Sequence, residues 1–217
     1  MKKYDADYLK KILYTGILCD VMDGMGYRNQ ALGMGIKPLG DDTVIFGPAF
    51  TSIGTQVYSM PENPLIAQCE VVDQLKEDEV FVLVTRGEQN CAVFGELFAT
   101  AVNVKKGAGV LLDGLARDVK ALKKMEFPLF YKGVNPKTSK GRCEINEAQV
   151  PIVIDGVTIH PGDMIFGDID GVAVIPAAIA DEVFQKALDT ILKEDQVRDG
   201  LKKGRSLYDV YTDIGAI

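Results

Sequence analysis

The chain has 217 residues, enough for one domain, and 47% of them are hydrophobic, enough for a sizeable core. A net charge of −7 and a pI of about 4.8 exclude non-specific nucleic-acid binding, which needs clustered Lys and Arg. They leave room for one basic pocket that holds a small anion.

Residues 6–13 and 16–24 carry apolar stripes at helical spacing: Leu9, Ile12 and Leu13, then Ile17, Leu18, Val21 and Met22. Glycines at 24, 26, 33 and 35 make 25–35 a loop. Residues 44–53 read as a strand interrupted at Gly47-Pro48, and 63–74 as a helix. The continuous apolar run 80–84 is a buried strand. Residues 92–105 form an amphipathic helix with Val93, Leu97, Ala101 and Val104 on one face, ended by Gly107-Ala108-Gly109. Residues 110–112 are the next buried strand, followed by a glycine-containing loop, a short helix over 119–125 and a strand over 127–131. That alternation predicts an α/β fold with parallel pairing. From 150 the rhythm changes to a hairpin turning at Asp155-Gly156 and two further strands joined by Asp168-Ile169-Asp170-Gly171. The end is helical over 178–203 and 206–214, with a capping-box-like Ser206 and Asp209. The charged tail reads as a solvated arm, or less readily as a bridge between subunits.

No apolar run approaches the ~20 residues of a membrane span, and the first residues lead into charged helical sequence rather than a secretory core. No membrane or nucleic-acid partner is expected. Cys19, Cys69, Cys91 and Cys143 are scattered, without a thiolate zinc pattern, which fits a reduced cytoplasmic protein. His160 precedes Pro161-Gly162, so it reads as a turn residue. One histidine cannot build a multi-histidine zinc site; a metal would use oxygen ligands, which favours Mg²⁺ or Mn²⁺. There is neither a G-x-G-x-x-G run nor a P-loop.

The candidate site joins Glu96 to Arg117 and Asp118, with twenty residues between Glu96 and Arg117. Asp118 follows a buried strand and precedes a helix, at the strand end where α/β ligands gather. It can ligate a metal or merely cap the helix. Arg117 offers a planar fork for a carboxylate, or a surface ion pair. Glu96 lies early in its helix, where acids are favoured; the N–H groups of Leu97 and Phe98 can receive a carboxylate there, and Glu96 can move a proton. Asp168 and Asp170 read as turn residues, and Asp113-Gly114 as a brace for the Arg117 loop.

The runs Gly95-Glu96-Leu97, Leu112-Asp113-Gly114-Leu115-Ala116-Arg117-Asp118, Phe127-Pro128-Leu129-Phe130, Gly133-Val134-Asn135-Pro136, Pro161-Gly162-Asp163 and Gly167–Pro176 resemble the RraA-like family over nearly the whole chain. The resemblance implies a single domain over 1–217, an α/β swivelling-type β/β/α sandwich with a C-terminal helical arm from 176. It implies a homotrimer or dimer of trimers. It further implies a metal-dependent (class II) aldolase that cleaves a short, anionic 4-hydroxy-2-oxo acid, such as 4-hydroxy-4-methyl-2-oxoglutarate, to pyruvate. Oxaloacetate decarboxylation is the implied side activity. By resemblance Asp118 binds Mg²⁺ or Mn²⁺, while Arg117 and the backbone of Gly95, Leu97 and Phe98 hold the pyruvate part. Arg117 and Glu96 are then the catalytic groups, and Glu194 of a neighbouring subunit is a candidate to face the metal. This chain has Glu96 where the aldolases usually carry aspartate. The alternatives are a non-catalytic protein-binding regulator of ribonuclease activity, a branch that lacks the metal-binding aspartate, or a lyase for another oxo-acid.

Overall fold

The computed structural model describes residues 5–215. It opens with helices α1 (Ala6–Ile12) and α2 (Thr15–Gly24), followed by strands β1 (Lys37–Pro38) and β2 (Ile45–Gln56). Helix α3 (Ile66–Asp73) leads into a βαβαβ run: β3 (Val80–Val84), α4 (Glu96–Val104), β4 (Gly109–Ala116), α5 (Val119–Lys124) and β5 (Leu129–Val134). The chain then forms β6 (Cys143–Ala148), the hairpin β7 (Ile152–Ile154) and β8 (Val157–Ile159), and the pair β9 (Met164–Asp168) and β10 (Gly171–Ile175). Helices α6 (Ala180–Lys202) and α7 (Leu207–Ile214) end it.

Strands β2, β3, β4 and β5 pair in parallel as expected. All five residues of β3 are buried, because it has a partner strand on each side, helices over one face and the β7–β8 hairpin over the other. The sheet order is β1-β5-β4-β3-β2-β9-β10, with β6 also on β2. The result is a mixed α/β sandwich whose sheet curls nearly closed. One core lies under α3, α4 and α5, around Phe81, Phe94 and Leu112. A second lies between the sheet and the β7–β8 hairpin, around Val82, Ile154 and Val157. The third lies under α1, α2 and α6, around Phe46, Phe166 and Phe184.

Several sequence expectations need correction. β2 is not interrupted at Gly47-Pro48: it runs unbroken for 12 residues. Its first part pairs with β9 and its later part with β3 and β6. Gly47 is there for space, since a Cβ at that position would lie 2.1 Å from the Asp78 carbonyl oxygen. The helix expected over 92–105 begins only at Glu96. Residues 92–95 are buried and extended, because Val93 donates to Leu115 and Arg117 to Phe94 across the end of β4. The apolar face is also different: Ala99 and Val102 are buried, whereas Leu97 and Val104 are 76% and 79% exposed. The glycine-containing loop before Arg117 is strand: β4 continues to Ala116 through a register shift after Leu112.

Asp113 does not brace the Arg117 loop. Its carboxylate meets the Lys132 ammonium at 2.5 Å, and Asp155 meets the same ammonium at 3.2 Å. Burial pulls the Lys132 pKa down, but hydrogen bonds and charges from Asp113 and then Asp155 outweigh it and raise it. The tail is not a solvated arm throughout. Ala180, Val183, Phe184 and Ala187 of α6 pack into the third core, Val197 is buried, and Gly200 faces Val210 of α7. Ser206 caps α7 by accepting from Asp209 N–H at 3.1 Å. β6 escapes notice because Glu144, Asn146 and Glu147 dilute its apolar alternation, although Cys143 and Ile145 are buried.

Candidate functional site

The end of β4 and the start of α4 lie side by side, which brings 95–98 to Arg117 and Asp118. Asp118 is the residue before α5, with φ 58° and ψ 29°. In that left-handed conformation its side chain makes no cap to α5. It points instead toward α4: Oδ2 accepts from the Glu96 N–H at 3.3 Å and lies 3.6 Å from Arg117 Nε. Oδ1 has no partner among the described residues. Aspartate is one of the few non-glycine types that tolerate this backbone region.

Gly95 makes the juxtaposition possible. A Cβ there would sit 2.6 Å from Asp118 Oδ2 and 3.1 Å from Arg117 Cγ. The Arg117 guanidinium spends only Nε on Asp118, so its terminal Nη1 and Nη2 fork has no protein acceptor among the described residues. The N–H groups of Leu97 and Phe98, at the start of α4, are likewise unpartnered within the described residues, as expected for a first helical turn. Gly95, Leu97, Phe98, Arg117 and Asp118 all line one cavity of about 390 Å³. Glu96 does not line it. Its Oε1 accepts from the Thr100 hydroxyl at 3.1 Å, and its contact with Asp118 is through the backbone.

Polar residues that the sequence did not single out also line the cavity, Asp73 and Thr138 and, more notably, the exposed Cys69 and the buried Ser139. No periodicity marks either one, because they arrive from α3 and from the loop before β6. Glu194 is engaged inside its own subunit, where its carboxylate accepts from the Tyr14 hydroxyl at 2.5 Å and lies 3.8 Å from Arg198. Asp168 behaves as a turn residue: it accepts from the Thr15 N–H and hydroxyl at 2.8 and 2.7 Å and from the Asp170 N–H at 3.0 Å. His160 is exposed in its turn.

A hard cation would find at Asp118 an accessible carboxylate oxygen with no competing hydrogen bond, which is the donor chemistry Mg²⁺ and Mn²⁺ take. Among the described residues no three of His, Cys, Asp and Glu converge, so such an ion would keep water in most positions, as Mg²⁺ commonly does.

The chain matches the RraA-like family (Aldolase/RraA) over residues 15–174. The chain belongs to that family. A protein of Halalkalibacterium halodurans named "Putative 4-hydroxy-4-methyl-2-oxoglutarate aldolase" is 32% identical over 189 residues, covering 86% of this chain and 85% of that protein. Protein DlpA of Legionella pneumophila is 29% identical over 213 residues, 94% of this chain; the chain spans only 34% of DlpA's length. Among solved structures, an uncharacterized protein from Pseudomonas syringae pv. tomato has a TM-score of 0.82 at 29% identity, with 94% of each chain covered.

Proposed function

We propose that this protein is a divalent-metal-dependent lyase that cleaves a short 4-hydroxy-2-oxo acid to pyruvate. The observation that carries this reading is the free guanidinium fork of Arg117, held beside the uncapped Asp118 carboxylate at one cavity wall. Asp118 would hold the Mg²⁺ or Mn²⁺, which when bound supplies Lewis acidity to the 2-oxo group.

The Arg117 fork takes the substrate carboxylate in two parallel hydrogen bonds. The N–H groups of Leu97 and Phe98 add donors at a positive helix end. Glu96 stands outside the cavity lining, so it acts through a water that relays the 4-hydroxyl proton to its carboxylate. The C3–C4 bond then breaks, its electron pair passes into the pyruvate enolate, and an aldehyde or ketone leaves. Arg117 stabilises the enolate charge, and C3 regains a proton to give pyruvate. Loss of CO₂ from oxaloacetate passes through the same enolate and is the expected side activity. The same reading includes a trimer or dimer of trimers, supported by the exposed apolar side chains Leu97 and Val104 on α4. It also includes a reduced cytoplasmic setting, to which four free cysteines are suited.

The test is pyruvate release from 4-hydroxy-4-methyl-2-oxoglutarate and from oxaloacetate with Mg²⁺, Mn²⁺ or EDTA. Asp118→Asn is expected to lower kcat by about 10²–10³. Turnover indifferent to EDTA sinks the metal role, and absence of turnover with every oxo-acid favours the non-catalytic regulator.

A further inference from the structure

We infer that Leu65 is a specificity-determining residue: its side chain is the partition that ends the cavity at α3, and it limits how far a bound 2-oxo acid extends beyond its reacting carbons. The consequence for turnover rests on the lyase reading; the consequence for binding does not.

A second cavity, of about 240 Å³, adjoins the one that holds Arg117 and Asp118, and Leu65 is the one described residue that lines both. Its neighbours fall to one side or the other. Cys69, Val72 and Asp73 of α3 line the first cavity, whereas Ile66, Ala67 and Gln68 line the second. In the turn before β6, Thr138 and Ser139 line the first and Lys140 the second. Part of the boundary is fixed by a hydrogen bond: Gln68, only 2% exposed, donates from Nε2 to the Val93 carbonyl at 2.5 Å. Leu65, half-buried, fills the rest with hydrocarbon.

Leu65 stands at the start of α3 with φ 75° and ψ −3°, in the left-handed region. Glycine adopts that conformation without strain and leucine does not. The position is also the N-cap of α3, where Ser, Thr, Asp or Asn would give the helix an oxygen and Leu65 makes no side-chain cap. Leucine serves neither local need; what it supplies is volume at the boundary. Beyond it, Pro61, Pro64, Ile66 and Ile145 line the second cavity and could receive an alkyl chain. The groups proposed to hold the carboxylate, namely Arg117, the Leu97 and Phe98 N–H groups and a cation on Asp118, belong to α4 and the β4–α5 junction rather than to α3. The limit that Leu65 sets is therefore one of length and not of charge.

The probe is a series of unbranched 2-oxo acids, from 2-oxobutanoate to 2-oxodecanoate, titrated calorimetrically against the full chain in Mg²⁺. Each methylene that finds an apolar wall should tighten Kd about fourfold. In the unaltered protein the gain is expected to stop where the chain meets Leu65. In Leu65→Gly, which keeps the left-handed backbone without strain, the gain should run on over further methylenes. The longest acid then binds at least about tenfold tighter than it does to the unaltered protein, while 2-oxobutanoate binds equally to both. Ile66→Trp, a bulky change at an exposed position lining only the second cavity, should abolish the extra gain in the Leu65→Gly background and alter nothing in the unaltered one. The proposal is overturned by a gain that runs unbroken through the series in the unaltered protein, by a break at the same length in both proteins, by an extra gain that survives Ile66→Trp, or by no binding of any acid. Pyruvate-release assays then compare 4-hydroxy-2-oxo acids bearing short and long 4-alkyl groups. Leu65→Gly should raise kcat/KM for the long one about tenfold relative to the short one; an unmoved ratio in an active enzyme refutes the specificity role. If no compound releases pyruvate while the break in binding shifts as expected, the lyase reading fails and the assignment of Leu65 stands.

Discussion

The arrangement at the cavity depends on the absence of one methyl group. Gly95 has extended backbone angles that any residue can adopt, so glycine is required there for space alone. Its Cα hydrogens face Asp118 Oδ2, Arg117 Cγ and Arg117 Nε, all within 3.3 Å of where a Cβ would stand. Gly95→Ala would push the carboxylate away from the Glu96 N–H and rotate the guanidinium. Displacements of about 1 Å at a reacting group can cost 10²-fold in rate. The expected result is a fall in kcat/KM of about 10² with only a few degrees lost in Tm, read by pyruvate-release kinetics beside thermal melting. Unchanged kinetics would remove Asp118 and Arg117 from the reaction. Asp118 itself bears the cost of a left-handed backbone, about 1–3 kcal/mol for such residues, and what it gains is a carboxylate aimed into the cavity rather than onto α5.

Among the elements, α2 illustrates how a helix can be anchored by a residue far away in the chain. Its N-cap residue, Tyr14, offers no side-chain cap. The carboxylate of Asp168, at the end of β9, takes that place for the Thr15 N–H and hydroxyl and at the same time closes the β9–β10 turn through Asp170. Thr15 is buried, so removing the carboxylate strands two donors. Hydrogen bonds to a charged group contribute roughly 1.5–3 kcal/mol. Asp168→Ala should therefore lower the unfolding free energy by about that amount, measured as a shift in the urea midpoint at constant slope, while kcat changes little. A loss below about 0.5 kcal/mol would mean that α2 is held by its packing in the third core alone.

For the molecule as a whole, groups that hold their protons more tightly when folded set an alkaline limit, Cys143, Tyr14 and Lys132 among them. Burial, and then the neighbouring Cys91, Glu88 and Glu144, push the Cys143 thiol from its ordinary 9.0 up to about 12. Burial and the hydrogen bond to Glu194 raise the Tyr14 phenol, and Asp113 and Asp155 keep Lys132 protonated above its usual range. In each case the folded state holds its proton more tightly than the unfolded chain does. The associated stability is complete below the unfolded pKa and is lost as pH rises through the folded one. Between about pH 9 and 12 the unfolding free energy should fall, whereas near neutral pH these groups contribute no slope. Cys143→Ala, although less stable overall, should show a shallower decline across that window in chemical denaturation at stepped pH. An unaltered slope would mean that Cys143 is not the titrating group.

The sequence by itself determined the βαβαβ run, because continuous apolar strands and helical spacing are local properties of the chain. It also determined the chemistry of the candidate site: Glu96, Arg117 and Asp118 are legible as charged groups at element ends. Tertiary structure decided how they are used. Whether 92–95 is helix or extended depends on the end of β4, a partner that no local window contains. Whether Asp118 caps a helix or faces a cavity depends on a backbone angle that aspartate tolerates but does not dictate. Ser139 and Cys69 become lining residues only when distant segments close around Arg117. Propensity and patterning act over a few residues, whereas a pocket is defined by contacts between segments far apart in sequence.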